Sequence, residues 1–257
     1  EATHAEVLYE GKNIQQYSKK EMQALRPKIQ MIFQDPFTSL NPRLSIGDII
    51  AEPMKVLKLA SSKHEMQEKV KEIMDLCGLP ERYYNTYPHE LDGGRRQRVG
   101  LARALAVGPQ FIVCDEPVSA LDVSIQAQIL NLLMDLQDSR GIAYMFITHD
   151  LCVVRHISDY IAVMYLGQVV EYAHKTDLFQ EQLHPYTKAL LSAIPTTDLS
   201  KRGTEPELLE GEVGNPIDPE PGCRFASRCK YATEACKAPQ SLREARPGHY
   251  VRCRLAD

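Results

Sequence analysis

Short apolar runs and stretches of helical spacing alternate along the middle of the chain. The runs 29-IQMIF-33, 111-FIVC-114 and 143-AYMFIT-148 are rich in β-branched and aromatic residues, which is typical of strands buried in a parallel sheet. Between the last two runs, apolar residues recur at helical spacing at Ile125, Ile129, Leu132, Leu133 and Leu136. Gly141 ends that stretch. A strand, a helix and a strand in succession form a βαβ unit, so we expect an α/β fold with a partly parallel sheet.

The positions outside this unit predict further elements. Residues 6–14 (EVLYEGKNI) indicate a strand and a turn, and residues 35–50 are rich in turn formers before the chain becomes mostly helical as far as Leu79. The longest apolar run, 160-YIAVMYLGQVV-170, is interrupted by a glycine and a glutamine, so we expect a hairpin. The stretch 195–221 is rich in Pro, Gly, Glu and Asp, which is typical of a linker.

The composition is that of a soluble globular protein and argues against two kinds of partner. The 257 residues are 44% hydrophobic and 25% charged, which suffices for one large or two modest domains. A net charge of −4 lacks the basic excess of a nucleic-acid binder, so we expect no nucleic-acid partner. No run approaches the ~18 to 20 apolar residues that span a bilayer, and no signal peptide is visible, so the cytoplasm is the expected compartment.

Two carboxylates directly follow a predicted buried strand. The run 111-FIVC-114 ends in Asp115-Glu116-Pro117, and α/β sheets bind ligands at the carboxyl ends of their strands. Phosphoryl transfer from a nucleotide needs an acidic residue to hold Mg²⁺ and a second group to orient or deprotonate the attacking water. Asp115 suits the first role and Glu116 the second. The alternative is that the acidic pair caps the following turn.

A histidine follows the next predicted strand, in Thr148-His149-Asp150. Parallel strands end at the same edge of a sheet, so we expect His149 to lie near Glu116, within reach of a terminal phosphate. Alone, this histidine would be interpreted as a loop residue with a local hydrogen bond. Beside the acidic pair, the phosphate role is favoured.

The segment 91-LDGGRRQRVGLARAL-105 indicates a helix start that receives a phosphate. Gly93 and Gly94 stand between Asp92 and an arginine-rich amphipathic stretch, as at helix N-termini that bind anions. Asp92 is a good N-cap, typically worth ~1 kcal/mol, and it favours the positive end of the helix dipole. As a negative charge beside an anion site, Asp92 would also repel the phosphate.

Together these motifs resemble those of the ATP-binding subunits of ABC transporters. Within about 120 residues and in the family's order, Gln34 in 32-IFQDP-36 resembles the Q-loop, 91-LDGG-94 the signature, 111-FIVCDE-116 the Walker B strand, 119-SALD-122 the D-loop and His149 the switch histidine. The resemblance implies an ABC-type P-loop NTPase domain, with a parallel-sheet core and a helical subdomain.

Two further stretches narrow the resemblance to importers of oligopeptides, dipeptides and nickel. They are 116-EPVSALDVSIQAQILNLL-133 and 184-HPYTKALLSAIP-195, and with the cysteine-bearing tail they are most similar to the second of the two ATPase subunits of these importers. The implied organisation is a nucleotide-binding domain over residues 1–178, its helical subdomain at about 40–106, and a small cysteine-containing C-terminal extension over 179–257 with the linker 195–221.

One motif of the family is not found. The sequence has no G-x-x-x-x-G-K-[ST], and the nearest string, Gly11-Lys12-Asn13, lacks the upstream glycine and the hydroxyl residue. In the family this Walker A cradle and the aromatic that stacks on adenine precede the strand at which this sequence starts. We therefore expect a chain truncated before Walker A, which alone binds ATP poorly and is inactive.

The resemblance implies a role for each matching residue. Gln34 would contact Mg²⁺ and the attacking water, Asp115 would hold Mg²⁺ through water, and Glu116 would act as the general base. His149 would contact the γ-phosphate of ATP, and Asp122 would couple two ATPase subunits across their interface. The implied activity is ATP hydrolysis coupled to uptake of oligopeptides or dipeptides.

Partners and location follow from the same resemblance. They are a second, related ATPase chain, two membrane-spanning permease subunits and, indirectly, a solute-binding protein, at the cytoplasmic face of the membrane. One alternative is a catalytically weak, nucleotide-responsive partner that completes the companion's site, and another is an importer of nickel or another solute. A third, a soluble ABC ATPase of DNA repair or translation, is disfavoured by the importer-type tail and the absence of basic patches.

The signature departs from the family pattern at two positions. Asp92 stands where the family has Ser, and Arg95 stands where it has Gln. The family's serine faces the γ-phosphate bound by the opposite subunit, so a carboxylate would meet like charge at about 4 Å, roughly 4 kcal/mol per charge pair at an effective dielectric near 20. Arg95 would offset this by pairing with Asp92 or with the phosphate. We therefore expect the segment Asp92-Gly93-Gly94 to complete a retuned or weakened site on the partner.

Four of the seven cysteines lie close to the C-terminus, at Cys223, Cys229, Cys236 and Cys253. Their spacing is not the paired C-x-x-C of common zinc modules, so it is a moderate metal signal. Some peptide-importer ATPases carry an iron–sulfur cluster in this tail, and four thiolates would satisfy a [4Fe–4S] cluster. Zinc and reduced structural cysteines are the alternatives. We expect the other three cysteines to be small core residues, and His249 to be an exposed turn histidine rather than a ligand.

Overall fold

The chain forms two compact units, Glu1–His149 and Asp150–Asp257, in a computed structural model. The structure describes residues 6–194 and 221–256, together with the isolated positions 209, 211, 212, 214, 217 and 219. The predicted linker 195–221 therefore lies almost entirely outside the described residues.

The first unit alternates short strands with helices. Its elements in chain order are β1 (Leu8–Tyr9), β2 (Lys12–Asn13), α1 (Lys19–Leu25), β3 (Ile29–Ile32), α2 (Pro36–Ser39), α3 (Ile46–Val56), α4 (Lys63–Leu76), α5 (Gly93–Leu105), β4 (Phe111–Asp115), α6 (Val123–Arg140) and β5 (Ala143–Ile147). Strands β1 and β2 pair as an antiparallel hairpin, as residues 6–14 predict.

Strands β3, β4 and β5 form a parallel sheet with β4 in the centre. Helix α6 joins β4 to β5, so the predicted βαβ unit is confirmed. The helix buries Ile129, Leu133 and Leu136, and it ends at Gly141, whose φ of 65° lies in the left-handed region that favours glycine. The residues that follow β4 therefore lie in the middle of the carboxyl edge of this sheet.

The burial predicted for the second strand of this unit is wrong. Ile112 of β4 is buried, but Met145 and Ile147 of β5 are 53% and 42% exposed. Strand side chains alternate between faces, and the register places Met145 in one row with the exposed Met31 of β3. Alternate side chains of β5 therefore lie on an exposed face of the sheet. For this reason an apolar run in the sequence does not imply that the whole strand is buried.

Helices α3, α4 and α5 pack together around an apolar core. Its buried members include Ile46, Ile49, Ile50, Met54, Val70, Met74, Val99 and Leu101. Two arginines of α5 reach backbone carbonyls of neighbouring segments. Arg98 donates to the carbonyl of Cys77 at 2.8 Å, and Arg103 donates to that of Ser39 at 2.6 Å. Part of the arginine-rich sequence of α5 therefore fixes the helix in place.

The second unit is built on an antiparallel sheet. Its elements are α7 (Leu151–Ile157), β6 (Tyr160–Tyr165), β7 (Gln168–His174), α8 (Lys175–Gln180), α9 (Pro185–Ser192), β8 (Arg243–Arg246) and β9 (His249–Val251). The sheet order is β6-β7-β9-β8, so the predicted hairpin at 160–170 is confirmed. Because β7 pairs with β9, residues 160–178 share this unit with the tail. None of the described helices is long and apolar enough to cross a membrane.

Two expectations for single residues are wrong. Cys77 and Cys114 are buried as predicted, but Cys152 is exposed. His249 is not an exposed turn residue, because it is 2% exposed and its Nε2 lies 2.7 Å from Oε1 of the fully buried Glu171. A buried carboxylate needs hydrogen-bond partners, and backbone N–H groups of Leu183 and His184 provide two more, at 2.7 and 3.0 Å.

Candidate active site

Glu116 lies at the carboxyl end of the central strand β4, between residues that follow the two neighbouring strands. Gln34 follows β3 and His149 follows β5, as the shared edge of a parallel sheet predicts. Gln34 Nε2 donates to Glu116 Oε2 at 2.9 Å, and His149 Nδ1 lies 3.2 Å from Glu116 Oε1. The structure thus brings these three sequence-predicted residues together, with one partner on each carboxylate oxygen.

The backbone of Glu116 is in the left-handed region, with φ 42°. This conformation is rare and strained for a residue with a β-carbon. The N–H of Glu116 donates to the carbonyl of Ile147 at 2.9 Å, and its own carbonyl accepts from the Ser119 hydroxyl at 3.1 Å. These bonds hold the sharp turn that directs the carboxylate toward Gln34 and His149.

The surroundings of Glu116 favour its ionised form. The hydrogen bond with His149 holds the pKa of Glu116 below its usual value, partial desolvation opposes this, and hydrogen bonds from Ser119 and Gln34 reinforce it. The His149 side chain is 73% exposed, so packing does not lock its contact with the carboxylate. Asp115, the last residue of β4, directly precedes Glu116 in the chain, at the carboxyl edge of the sheet where α/β folds bind ligands.

Asp92 is the N-cap of α5, as its sequence position predicts. Its Oδ1 accepts from the backbone N–H of Arg95 at 2.8 Å, and its Oδ2 pairs with the Arg95 guanidinium. The guanidinium also lies over the ring of Tyr83, 5.3 Å from its centroid. Arg95 therefore balances the charge of Asp92 at the start of the helix.

The signature glycines lie against the D-loop and the helix that it starts. A β-carbon at Gly94 would stand 2.6 Å from Cγ2 of Ile125, whereas at Gly93 the nearest atom, Cδ2 of Leu121, would be 3.5 Å away. Asp122 caps α6 by accepting from the N–H of Ile125 at 3.0 Å. Position 94 thus has no room for a side chain. Sequence reasoning missed this contact, because the two motifs are separate in the chain and neither predicts the packing of the other.

The four C-terminal cysteines line one cavity of the second unit: Cys223, Cys229, Cys236 and Cys253. Burial raises the pKa of the Cys223 and Cys253 thiols, and backbone N–H groups of Phe225 and Leu255 act in the opposite direction on the same two sulfurs. The N–H of Leu255 lies 3.4 Å from Cys253 Sγ. Within the described part of the chain, no group of three or more His, Cys, Asp or Glu side chains has the arrangement of a metal site. The four thiols therefore lie around one cavity, but their arrangement is not that of ligands around a metal ion.

A buried histidine that sequence reasoning did not single out lines the same cavity. His184 is 1% exposed, and its Nδ1 caps α9 by accepting from the N–H of Tyr186 at 3.1 Å. Its Nε2 is buried and has no hydrogen-bond partner among the described residues. Burial lowers the pKa of His184 to about 4, so the ring is neutral at physiological pH. The only sequence signal was its place before a proline at a helix start.

Two family models match the chain. The ABC transporter model matches residues 1–119, which include Gln34, the signature and Glu116. The model of the oligopeptide/dipeptide transporter C-terminal region matches residues 170–236, which include His184 and three of the four tail cysteines.

Similar proteins share most of the length of this chain. It is 49% identical over 255 residues to the oligopeptide transport ATP-binding protein OppF of Haemophilus influenzae, which covers 98% of this chain and 77% of that protein. It is 49% identical over 258 residues to OppF of Escherichia coli, with 100% and 77% covered. A dimeric, post-hydrolysis structure of the ATP-binding cassette MJ0796 with ADP and Pi matches with a TM-score of 0.60 and 31% identity, over 67% of this chain and 74% of that one. The chain therefore belongs to the ATP-binding proteins of ABC transporters, in the group that carries the oligopeptide/dipeptide C-terminal region.

Proposed function

We propose that this chain hydrolyses ATP in an ABC importer that takes up oligopeptides or dipeptides. The observation that carries the catalytic part is the Glu116 carboxylate held between Gln34 and His149 at the edge of the sheet. Peptide as the solute is supported by the names of the two relatives, which are both oligopeptide transport proteins. Nickel or another small solute is the alternative.

In this proposal Glu116 acts as the general base. Its ionised carboxylate accepts a proton from the attacking water at Oε1, the oxygen that His149 contacts at 3.2 Å. The largely exposed His149 ring turns from this oxygen toward the γ-phosphate, whereas Gln34 stays on Oε2 and keeps the carboxylate oriented. Asp115 would hold Mg²⁺, which would supply neutralising charge to the phosphates when bound. One movement of His149 thus releases the base and supplies a donor to the phosphate.

The proposed partners are those of an importer. A second, related ATPase chain pairs with this one, with Asp122 coupling the two across their interface. Two permease subunits bind the pair at the cytoplasmic face of the membrane, and a solute-binding protein delivers the peptide. Similarity of residues 116–133 and 184–195 to the second ATPase subunit of such importers supports that position for this chain.

The solute is testable in the complete transporter. We expect ATP hydrolysis in proteoliposomes to rise several-fold when the binding protein carries a short peptide, because delivery of the correct solute is what the importer couples to hydrolysis. The measurement is phosphate release with the binding protein empty, peptide-loaded or nickel-loaded. Stimulation by nickel alone would contradict peptide import and select the alternative.

We also propose that the two ATP sites of the assembled pair differ. Glu116 and the residues that hold it serve one site, whereas Asp92, Gly93 and Gly94 complete the site of the partner chain. The ion pair of Asp92 with Arg95 supports this assignment, because it places a balanced charge pair at the helix start instead of the family's neutral serine. A catalytically weak partner role for this chain is the competing hypothesis, and hydrolysis by the Glu116 variant distinguishes the two.

The four tail cysteines are proposed to hold a metal centre, of the [4Fe–4S] type in preference to zinc. The observation that supports it is that all four thiols line one cavity. When bound, a cluster would supply a redox-active or structural centre separate from ATP hydrolysis.

We expect anaerobic reconstitution with iron and sulfide to give a brown protein with broad visible absorbance. Cys236→Ser should lose most of the bound iron, because it removes one of four ligands. Cys152→Ser is the matched control, since Cys152 is exposed in the same unit and does not line the cavity. Metal analysis and the absorbance spectrum measure whether iron, zinc or neither metal is bound. A colourless protein with stoichiometric zinc would select zinc, and a protein with neither metal would refute the centre.

A further inference from the structure

The start of helix α5 packs against the start of helix α6 with no space for a side chain between them. A β-carbon at the buried Gly94 would stand 2.6 Å from Cγ2 of Ile125, well inside the ordinary carbon–carbon contact of about 3.5 to 4.0 Å. Isoleucine has one strongly preferred side-chain rotamer in a helix, so this methyl group cannot simply turn away. A side chain at position 94 would therefore push the two helix starts apart by about 1 Å.

A second contact joins the same two helices one turn further along. Arg98 Nη2 donates to Gln128 Oε1 at 2.9 Å, and Arg98 Nη1 donates to the carbonyl of Cys77 at 2.8 Å. Gly94 and Arg98, four residues apart, lie on one face of α5. Ile125 and Gln128, three residues apart, likewise share one face of α6. The two helices are thus held along a shared face rather than at a single point.

Helix α6 is in turn tied to the turn that carries Glu116. The carbonyl of Glu116 accepts from the Ser119 hydroxyl at 3.1 Å, and the carbonyl of Val118 accepts from the side-chain amide of Gln126 at 2.9 Å. Asp122, between them, caps the helix. Contacts therefore run without a gap from the backbone of Glu116 through α6 to the first turn of α5.

We infer that Ile125 is a positioning residue for the signature. Its side chain sets the place of the segment Asp92-Gly93-Gly94, so that this segment and the turn after Glu116 move as one body. The inference rests on the proposed function, in which the signature completes the ATP site of the partner chain. Ile125 acts through the signature and does not contact the nucleotide itself.

A different reason for glycine at position 94 makes the opposite prediction. If the backbone of Gly94 had to approach a phosphate closely, a β-carbon there would be harmful whatever residue stood at position 125. If packing against Ile125 is the reason, the harm disappears when the isoleucine methyl groups are removed. Packing makes no such demand at Gly93, where a β-carbon would lie 3.5 Å from Leu121, an ordinary contact.

The test is a series of size-complementing substitutions in the complete transporter. Gly94→Ala should weaken ATP binding at the partner's site by up to about 10²-fold, because a displacement of about 1 Å can have an effect of that size. Adding Ile125→Ala removes Cγ2 and should restore most of the lost binding. Adding Ile125→Val instead should leave the loss in place, because valine keeps both γ-carbons.

Photolabelling with azido-ATP over a range of concentrations measures the two sites separately once the two ATPase chains are resolved. We expect Gly94→Ala to lower labelling of the partner chain, while labelling of this chain stays near that of the unsubstituted complex. General destabilisation would lower both labels, so their ratio separates positioning from a loss of stability. Gly100→Ala on the same helix is the control and should change neither label, since its β-carbon would have no atom of the described residues within 4 Å.

The possible outcomes separate the inference from the proposed function. A variant with both Gly94→Ala and Ile125→Ala that binds ATP as poorly as Gly94→Ala would overturn the inference and leave the proposed ATP sites standing. If Gly94→Ala prevented assembly, the same comparison would apply to the yield of complex, and equal yields with alanine and valine at position 125 would likewise overturn the inference. Absence of label on the partner chain of the unsubstituted complex would refute the proposed pair of sites, and the inference with it.

Discussion

Glu116→Gln is expected to lower ATP hydrolysis by the complete transporter about 10²- to 10⁴-fold, the usual contribution of a positioned general base. Glutamine has the size of glutamate and keeps a carbonyl oxygen for the Gln34 amide, so the turn after β4 should persist. It cannot take the proton of the attacking water. Binding of ATP should therefore be retained while hydrolysis is lost, and both are measurable on the same purified complex.

The control for this change is Glu68→Gln. Glu68 pairs with Lys71 on the exposed surface of α4, and exposed ion pairs of this kind contribute little. We expect its hydrolysis rate to match that of the unsubstituted complex. If Glu116→Gln also left the rate unchanged, the turnover would have to come from the companion chain, and this chain would be the weak partner.

Arg95→Gln alone is expected to weaken ATP binding at the partner's site by up to about 10³-fold. The change leaves the Asp92 carboxylate without its ion pair, and a like-charge pair at about 4 Å is unfavourable by roughly 4 kcal/mol at an effective dielectric near 20. Photolabelling with azido-ATP, followed by separation of the two ATPase chains, measures occupancy of the partner's site. Because the effect is electrostatic, it should shrink as the salt concentration rises.

The double change Asp92→Ser with Arg95→Gln is the matched comparison. It removes both charges and restores the family's pattern at the two positions, so occupancy or turnover at the partner's site should rise above that of the unsubstituted complex. Serine also keeps the helix cap, which limits any loss of stability. Equal occupancy in the single variant, the double variant and the unsubstituted complex would show that Asp92 serves only as a cap of α5.

The sequence predicted those features that follow from local order along the chain. The βαβ unit and the hairpin followed from periodicity, and the meeting of Gln34, Glu116 and His149 followed from the geometry of parallel strand ends. Each of these depends on where an element ends, and apolar runs mark element ends well.

The features that the sequence did not predict depend on contacts between distant segments. His249 lies 78 positions from the buried carboxylate of Glu171, and no local pattern links the two. The exposure of Met145 depends on which face of the sheet the other described segments leave uncovered. Likewise, the unsatisfied Nε2 of His184 becomes visible only when the tail has folded around it. Hydrophobicity along the chain records the tendency of a residue to be buried, and it does not record the identity of its neighbours.

At position 116 the left-handed backbone favours one residue for stability, whereas the proposed activity needs another. A glycine there would adopt φ 42° without strain, so the fold alone would favour losing the side chain. Retaining glutamate means that the native state carries a conformational cost at the residue proposed to take the proton. Stabilising substitutions selected without regard to turnover are therefore expected to accumulate at this turn, and a thermostable variant that carries one would fold well and hydrolyse poorly.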